Sequence, residues 1–359
     1  MNLCVYNLSG LEKMDARSIL LTQKFSNMAI QRVLNAESTG TSEEYFNLTL
    51  RPKNLSECIG QANIKEKLSI AIQAARKRGE PLEHILFYGP PGLGKTTLAN
   101  IIAAEMNAAI RVSSGPAIAK QGDVMGLLSN INTGDILFID EIHRLSATVE
   151  EFIYPAMEDF KVDFTVDSGL HAKTINFPLK RFTLIGATTR AGLLSSPLRS
   201  RFGMLYHLEY YSVDELTEIV RRSARLLSLD CDPAALKLIA TRSRSTPRIA
   251  NRLLKRVRDY AQVKGTGRLT IDIVEASLEM ERIDHLGLDE LDRSFLKALI
   301  NVYNGGPAGI EAVAATLGEE RDTLEDVVEP YLLQTGFLRR TKRGREVTPA
   351  AYAHLGIEI

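Results

Sequence analysis

The chain has 359 residues, of which 45% are hydrophobic and 25% are charged, and this balance is typical of a globular protein of two or three domains. Its 44 basic residues cancel its 44 acidic ones, so any contact with a nucleic acid must come from a local basic cluster. No apolar run approaches the roughly 18 residues that a membrane span needs, and the isolated cysteines and scattered histidines exclude a disulfide framework and a zinc site and fit a reducing cytoplasm.

Residues 1–45 show little hydrophobic periodicity, and we expect a flexible extension there. Helical and strand-like patterns then alternate over residues 46–211. An amphipathic helix is predicted at 64–78, and short apolar runs predict strands at 85–88, 110–112, 136–139 and 181–190. This alternation favours an α/β domain with a doubly wound parallel sheet.

The strongest motif lies at residues 89–97, Gly-Pro-Pro-Gly-Leu-Gly-Lys-Thr-Thr, between a predicted strand and a helical pattern. It has the spacing Gly-x-x-x-x-Gly-Lys-Thr of a phosphate-binding loop. Glycines let backbone N–H groups surround an anion, and a helix that begins near Lys95 directs its positive end to the same place. We expect Lys95 to reach the outer phosphates of a nucleotide and the Thr96 hydroxyl to bind Mg²⁺.

Two carboxylates follow the apolar run at 136–139. Asp140 would lie at the carboxyl end of this strand and could complete the oxygen shell of Mg²⁺. Glu141 could polarise the water that attacks the γ-phosphate. A helix cap on the surface is the alternative, but the phosphate-binding loop upstream favours catalysis. Thr188 and Thr189 end the next strand and could bond that water or the γ-phosphate, or only form a turn.

A β-hairpin is predicted at about 161–180, because polar and apolar residues alternate on both sides of Ser168-Gly169. A phosphate-binding α/β domain does not need such an insertion. Docking of a partner protein and a plain edge hairpin are equally open interpretations.

Residues 196–202 place Arg199 and Arg201 on a proline-containing turn. Arginine suits the spread charge of a phosphoryl-transfer transition state, so this turn is a candidate catalytic element. A solvated basic loop is the alternative.

The segment 212–284 is helical throughout, and we expect Thr246 to cap a helix whose positive end carries Arg248. Like charges recur every four residues at Arg244, Arg248, Arg252 and Arg256. These arginines would either meet an anion, which for Arg248 could be nucleotide phosphate, or pair with carboxylates of neighbouring elements.

Helices predicted at 289–303, 310–317 and 321–334 precede a predicted hairpin at 337–348 whose turn lies near Gly344. Three helices and a hairpin are typical of a winged helix. The hairpin is rich in cations, Arg339, Arg340, Lys342, Arg343 and Arg345. This cluster predicts sequence-independent contact with DNA phosphates over the alternative of a solvated face.

Together these residues resemble the RuvB family of AAA+ motors, which drive Holliday-junction branch migration, from about residue 50 to the end of the chain. Residues 89–97 are similar to the family's Walker A motif, 136–145 to Walker B, 186–192 to sensor 1, 197–203 to the arginine-finger turn and 245–250 to sensor 2. The resemblance implies an AAA+ domain at 46–211, a helical lid at 212–284 and a winged-helix domain at 285–359, assembled as a homohexameric ring around duplex DNA.

The resemblance also implies roles for single residues. Lys95 and Thr97 would bind phosphates of ATP, Thr96 and Asp140 would hold Mg²⁺, and Glu141 would prepare the water. Thr189 would sense the γ-phosphate, Arg248 would contact the chain's own ATP, and Arg201 would act on the ATP of the next subunit. Further nucleotide contacts implied are Leu50, Arg51, Ile59, Gly60, Gly92, Gly94, Glu158, Asp159, Phe160 and Tyr211. The implied DNA contacts are Arg321, Arg340 and Arg345.

Implied partners are duplex DNA at four-way junctions, RuvA through the hairpin at about 161–180, and the RuvC resolvase complex, in a cytoplasmic protein of recombination, DNA repair and the SOS response. Two other functions stay open. A clamp-loader-type AAA+ switch is disfavoured by Leu-Arg-Ser-Arg-Phe at 198–202 and by the winged helix. A non-motor regulator, which binds DNA under nucleotide control, is disfavoured because it would need neither Glu141 nor Arg201.

Overall fold

The structure is a computed structural model that describes residues 49–166 and 173–358. The expected extension at 1–45 and the expected hairpin tip at 167–172 lie outside the described residues. Within the described ranges, an α/β part, a helical part and a smaller part with its own two-stranded sheet follow one another along the chain.

The strands are β1 (Ile85–Tyr88), β2 (Ile110–Ser114), β3 (Ile136–Asp140), β4 (Lys161–Val166), β5 (Lys173–Pro178), β6 (Thr183–Thr188), β7 (Met204–His207), β8 (Leu338–Thr341) and β9 (Gly344–Val347). Five of them form one parallel sheet in the order β2-β3-β6-β1-β7, which confirms the predicted sheet. In its register, Ile85 of β1 lies opposite both Ile185 and Met204.

The helices of the α/β part are α1 (Ala62–Arg78), α2 (Lys95–Met106), α3 (Gln121–Leu128), α4 (Ala147–Glu158) and α5 (Ser196–Ser200). They cover both faces of the sheet. Phe87 and Phe138 belong to a core with α1 and α2, whereas Leu86 and Leu137 belong to a core with α3 and α4. Because successive strand side chains point to opposite faces, a strand buried on both faces needs an unbroken apolar run.

The helical part consists of α6 (Val213–Leu226), α7 (Pro233–Thr241), α8 (Pro247–Lys264) and α9 (Ile271–Met280). It begins with a capping box, in which the Ser212 hydroxyl accepts from Glu215 N and the Glu215 carboxylate accepts from Ser212 N. Val220 and Leu253 are fully buried in the same core as Ile102 of α2. The helical part therefore packs on the same side of the sheet as the helix that follows the phosphate-binding loop.

The third part contains α10 (Glu290–Tyr303), α11 (Ile310–Leu317), α12 (Arg321–Gln334), the antiparallel pair β8–β9 and α13 (Pro349–Leu355). It has a separate core around Phe295, Leu324 and Leu332. The helix predicted at 321–334 is present, but it was not predicted that α12 contains a π-helical turn at Leu324–Val328 between two α-helical pieces.

Lys342 and Arg343 form the turn of the β8–β9 hairpin, directly before Gly344, which confirms the predicted turn near Gly344. Gly344 is the first residue of β9 and lies opposite Thr341. A side chain there would place its Cβ 2.3 Å from the carbonyl oxygen of Ala308, so a glycine is needed for the approach of this neighbouring backbone.

The inserted hairpin is an antiparallel pair of β4 and β5, outside the parallel sheet. Asp163 lies opposite Asn176, whose amide donates a 2.8 Å hydrogen bond to it. Val162 is fully buried and anchors the base of the hairpin in the core under the sheet. In the described ranges, no helix combines the length and the apolar character that crossing a bilayer requires.

Candidate ATP site

The loop between β1 and α2 has the backbone of an anion site. Its glycines Gly89, Gly92 and Gly94 have φ values of 135°, 80° and 98°, which side chains disfavour. Lys95 begins α2, and its ammonium donates hydrogen bonds of 2.8 and 2.9 Å to the carbonyl oxygens of Gly89 and Pro90. The lysine is thus held inside the loop, where phosphate oxygens can replace these two carbonyls as acceptors.

Lys95 is almost fully buried, and burial lowers the pKa of its ammonium to about 8. The negative charge of Asp140 acts in the opposite direction, and the positive charge of Arg248 adds to the lowering. A polyphosphate in the loop would favour the charged form, so the site is electrostatically prepared for an anion.

Thr96 and Asp140 bring two oxygen ligands together. The Thr96 hydroxyl donates to Asp140 Oδ2 over 3.4 Å, across the gap between α2 and the end of β3. Mg²⁺ is usually held by one or two protein oxygens, with phosphate oxygens and waters in its other positions. This pair fits Mg²⁺ bound together with a nucleotide, and within the described residues no cluster of three histidine, cysteine or carboxylate side chains could hold a metal alone.

Glu141 follows Asp140 in a left-handed conformation, with φ of 47°, and its N–H donates to Asp140 Oδ1 over 2.9 Å. Its carboxylate accepts a 3.0 Å hydrogen bond from Arg144, at the i,i+3 spacing that brings side chains together in a helical turn. No individual role was predicted for Arg144. Gly115 lies against this turn, because a Cβ there would be 2.3 Å from the Glu141 carbonyl oxygen.

Thr188 ends β6 fully buried, and its hydroxyl accepts a 3.0 Å hydrogen bond from Arg190 N. The same hydroxyl lies 2.9 Å from His143 Nδ1. Burial, the largest influence, lowers the pKa of His143 despite the charge of Glu141, so a neutral ring can accept from Thr188. Thr189 is half-buried directly after this strand. The connection from β6 through His143 to the Asp140–Glu141 turn was not predicted.

The start of α8 contacts the phosphate-binding loop directly. The N–H of Arg248 donates to Gly92 O over 3.4 Å, and a Cβ on Gly92 would lie 3.3 Å from that of Arg248. Thr246 is the residue before α8, but its hydroxyl donates to Ser243 O and does not cap the helix, which corrects the expectation of a side-chain cap.

Arg244 is not on α8, so the predicted row of arginines does not include it. Arg244 and Ser245 have φ values of 49° and 55°, and a left-handed turn separates them from the helix. The Arg244 guanidinium is buried and pairs with Asp289 at 3.0 Å and with Asp292. For this residue, the alternative of pairing with neighbouring carboxylates was correct.

Gly60 and Tyr211 contact each other next to the phosphate-binding loop, and Ile59 is half-buried directly before Gly60. The Tyr211 hydroxyl donates to Leu93 O over 3.3 Å, and a Cβ on Gly60 would lie 2.5 Å from the Tyr211 ring. Leu50 is buried, and its carbonyl accepts a 2.7 Å hydrogen bond from Arg222, with Arg51 half-buried beside it.

The remaining predicted residues lie at the other end of β1. The Arg201 guanidinium pairs with the Glu158 carboxylate at 3.0 Å and lies 4.4 Å from the centre of the Tyr154 ring. Asp159 pairs with Lys161, and Phe160 packs edge-on against Phe182.

The pairing of strands in the sheet explains why Arg201 and residues 158–160 lie at the other end of β1. Met157 O, next to Glu158, lies 3.0 Å from Nε2 of His84, the residue before β1, and Met204, shortly after Arg201, pairs with the first residue of β1. Lys95 and its loop follow the last residue of β1. Four strand residues, roughly 13 Å, therefore separate the two groups within one chain.

The arginines predicted to contact DNA are paired with carboxylates. Arg340 and Arg345 both bond the fully buried Glu329, at Nε–Oε1 distances of 2.7 and 2.8 Å. Arg321 pairs with Glu311 at 2.9 Å and lies 3.4 Å from Glu325. Lys342 and Arg343 are exposed at the turn of the hairpin.

Comparison with known proteins gives three consecutive matches. The models of the Holliday junction DNA helicase RuvB P-loop domain, the RuvB AAA lid domain and the RuvB C-terminal winged helix domain match residues 50–208, 211–284 and 285–356. The solved structure of Thermotoga maritima RuvB, described as a Holliday junction branch migration motor, is 54% identical over 87% of this chain and 99% of that chain, with a TM-score of 0.80. A substituted form of that protein is 55% identical over 86% of this chain and 99% of its own, with a TM-score of 0.81. The chain belongs to the RuvB family of Holliday junction branch-migration ATPases.

Proposed function

We propose that this branch-migration ATPase works as a homohexameric ring in which each ATP is bound by one copy of the chain and hydrolysed with the help of Arg201 from its neighbour. The observation that carries the proposal is the separation of Lys95 and Arg201 to opposite ends of β1. A guanidinium at that place cannot reach a nucleotide bound by its own loop, whereas a second copy packed edge to edge can supply it.

In this site, the loop amides at Gly92 and Gly94 together with Lys95 and Thr97 hold the phosphates. Thr96 and Asp140 would hold Mg²⁺, which would supply positive charge against the charge that develops on the transferred phosphoryl group. Glu141 would orient the water, Thr189 would sense the γ-phosphate, and Arg248 would contact the same nucleotide. Because the site is divided between two copies, each copy contacts its neighbour head-to-tail, through two different surfaces. Head-to-tail contacts form a closed ring when the rotation from one copy to the next returns to the first copy, and this supports the proposed ring.

Leu50, Arg51, Ile59, Gly60 and Tyr211 would contribute further contacts to the bound nucleotide. Glu158, Asp159 and Phe160 reach the neighbour's nucleotide from the same edge as Arg201. Rotation of the helical part during the ATP cycle moves duplex DNA, which the winged-helix part contacts through Arg321, Arg340 and Arg345 and through the exposed turn of the hairpin.

The β4–β5 hairpin projects from the base of the α/β part as a separate two-stranded sheet, and this supports its proposed role in docking RuvA. With RuvA and the RuvC resolvase complex, the ring acts at four-way junctions in the cytoplasm during recombination, DNA repair and the SOS response.

Two measurements test this function. Unwinding of a synthetic four-way junction into its duplex arms should require ATP and Mg²⁺ and should increase when a RuvA protein is added. The ATPase rate per chain should fall towards zero on dilution, at the concentration where analytical ultracentrifugation shows the ring dissociating. A constant rate per chain in samples that contain only monomers would contradict a site shared between copies.

A further inference from the structure

Arg190 joins the end of β6 to the winged-helix part. Its Nε and Nη2 each lie 2.8 Å from an oxygen of the Asp326 carboxylate, which is a bidentate pair. Asp322 lies 3.3 Å from Nη2 and Glu325 lies 3.6 Å from Nη1. Paired guanidinium and carboxylate groups in this arrangement are strong and fixed in direction. The Arg190 and Asp326 side chains are thus held in a single geometry relative to each other.

The other end of Arg190 belongs to the candidate ATP site. Its N–H donates to the Thr188 hydroxyl, which lies 2.9 Å from His143 in the turn after Glu141. Asp326 also lines a cleft with the loop residues Pro90–Gly92 and with Arg248. The acidic face of α12 therefore lies beside the phosphate-binding loop and beside the strand end that carries Thr189.

One of the carboxylates that hold Arg190 is shared with two of the arginines assigned to DNA. Glu325 is largely buried and lies 3.0 Å from Arg345, 3.4 Å from Arg321 and 3.6 Å from Arg190. Three guanidinium groups thus surround one carboxylate. A DNA phosphate that attracts Arg321 and Arg345 would weaken their ion pairs with Glu325. The negative charge of Glu325 would then act mainly on Arg190.

The shared carboxylate lies in an irregular helix. Glu325 and Asp326 belong to the π-helical turn Leu324–Val328, in the middle of α12. Such turns cost regular hydrogen bonding and occur frequently at functional sites. Here the turn places Asp326 towards Arg190 while Glu329, in the next turn, holds Arg340 and Arg345.

We propose that Arg190 is a positioning residue that couples DNA binding to ATP hydrolysis, through Asp326 and Glu325 on one side and Thr188 on the other. The inference rests on the proposed function, because it takes Arg321 and Arg345 as DNA contacts and the loop at 89–97 as the ATP site. DNA bound to the wing strengthens the attachment of α12 to Arg190, and this strengthened attachment fixes the end of β6 in the position that the faster, DNA-stimulated hydrolysis requires.

The test compares ATPase turnover of the full-length chain with and without duplex DNA. Asp326→Asn keeps the shape of the side chain and removes the charge that holds Arg190. We expect the turnover without DNA and the affinity for DNA to stay within about twofold of the unsubstituted chain. The stimulation of turnover by DNA should fall by about fivefold or more, because loss of a bidentate charged pair changes an equilibrium by roughly one power of ten.

Glu290→Gln is the matched control, because Glu290 also forms an ion pair from the winged-helix part to another part of the chain, with Arg282 of the helical part at 2.7 Å. It should leave stimulation by DNA unchanged. The charge-swapped pair Arg190→Asp with Asp326→Arg should recover part of the stimulation that Asp326→Asn loses, which a general loss of packing would not allow.

Unchanged stimulation in Asp326→Asn, or an equal loss in Glu290→Gln, would overturn the role of Arg190 and leave the proposed function intact. No recovery in the charge-swapped pair would also count against that role. An unsubstituted chain whose turnover does not respond to DNA would contradict the proposed function itself.

Discussion

The guanidinium of Arg201 lies 3.0 Å from the carboxylate of Glu158, at the end of β1 opposite to Lys95. The Tyr154 ring packs against the same guanidinium, and the Tyr154 hydroxyl is fixed by Glu150 and Ser195 at 3.1 and 3.0 Å. The Arg201 side chain is therefore held in one orientation by contacts within a single copy of the chain.

We predict that Arg201→Ala lowers ATPase turnover by about 10³-fold, because an arginine that neutralises the transferring phosphoryl group contributes this much or more. ATP affinity should change by less than about threefold if the arginine acts on the transition state. Steady-state turnover and equilibrium titration check the two values. Arg199→Ala, two residues away and exposed, is the matched control and should keep full activity.

Glu141→Gln should bind ATP with unchanged affinity and hydrolyse it about 10²- to 10⁴-fold more slowly, the range expected for loss of a general base. Single-turnover hydrolysis measures this directly. Arg144→Ala removes the residue that holds the Glu141 carboxylate, so it should cause a smaller loss of the same kind. Equal turnover of Glu141→Gln and the unsubstituted chain would exclude the proposed role of Glu141.

The pKa of Lys95, lowered to about 8 by burial, predicts a pH dependence of nucleotide binding. Bound phosphates favour the ammonium and raise its pKa, so binding above pH 8 must take up a proton, and affinity should fall by up to about tenfold per pH unit as pH rises from 8. Calorimetric titration of the Glu141→Gln chain with ATP, at pH 8.5 in two buffers of different ionisation enthalpy, should show this uptake.

Lys95→Arg is the control for this pH dependence, because a guanidinium stays charged throughout the range. The affinity of Lys95→Arg for ATP should be lower, because the planar guanidinium group does not fit a site shaped for an ammonium. This lower affinity should not vary between pH 8 and 9.5. A heat of binding that is independent of the buffer in the lysine form would contradict the assigned pKa.

Arg345 of the wing also stabilises the fold, whereas the cations at the hairpin turn do not contact the buried carboxylate Glu329. Glu329 is fully buried and its pKa lies below its ordinary value, because hydrogen bonds from Arg340 and Arg345 outweigh the opposing effect of burial. Arg345→Ala should destabilise the winged-helix part by about 2 kcal/mol, since it removes charged hydrogen bonds from a buried carboxylate. Hydrogen exchange of backbone amides in residues 285–358 measures this locally.

Lys342→Ala with Arg343→Ala removes two exposed cations from the same hairpin without touching Glu329. We expect unchanged hydrogen exchange, weaker binding to duplex DNA of any sequence, and a salt dependence reduced by about two phosphate contacts. A fluorescence titration at several salt concentrations gives the slope. If the slope does not change, the DNA contact of the wing must lie elsewhere.

The sequence predicted the parts of the molecule that depend on local pattern. Apolar runs located β1 and β3, and glycine spacing located the loop at 89–97, because burial on both faces and tight backbone curvature leave unmistakable residue patterns. The strand order β2-β3-β6-β1-β7 in the structure confirmed the predicted parallel sheet. The match to the RuvB family model agreed with the family resemblance found in the sequence.

The sequence could not predict contacts between distant segments. Arg244 has the four-residue spacing of a helical row, yet it lies before α8 and pairs with Asp289 and Asp292 of the third part. Arg190 lies within the sensor 1 motif at 186–192, but its pairing with Asp326 left no local pattern, because the two residues are distant in the chain. The hairpin cations indicated a basic surface, whereas Glu329 neutralises two of them from within a helix.

The central claim is that one copy of the chain binds ATP and another completes the site. Lys95→Ala should abolish ATP binding, and Arg201→Ala should abolish most hydrolysis, so each form alone should be inactive. When the two are mixed, an Arg201→Ala copy can bind ATP while its Lys95→Ala neighbour supplies the arginine. ATPase activity of the equimolar mixture, measured against each form alone, tests this most directly. We predict activity well above the sum of the two separate forms, and a mixture no more active than that sum would contradict the shared site.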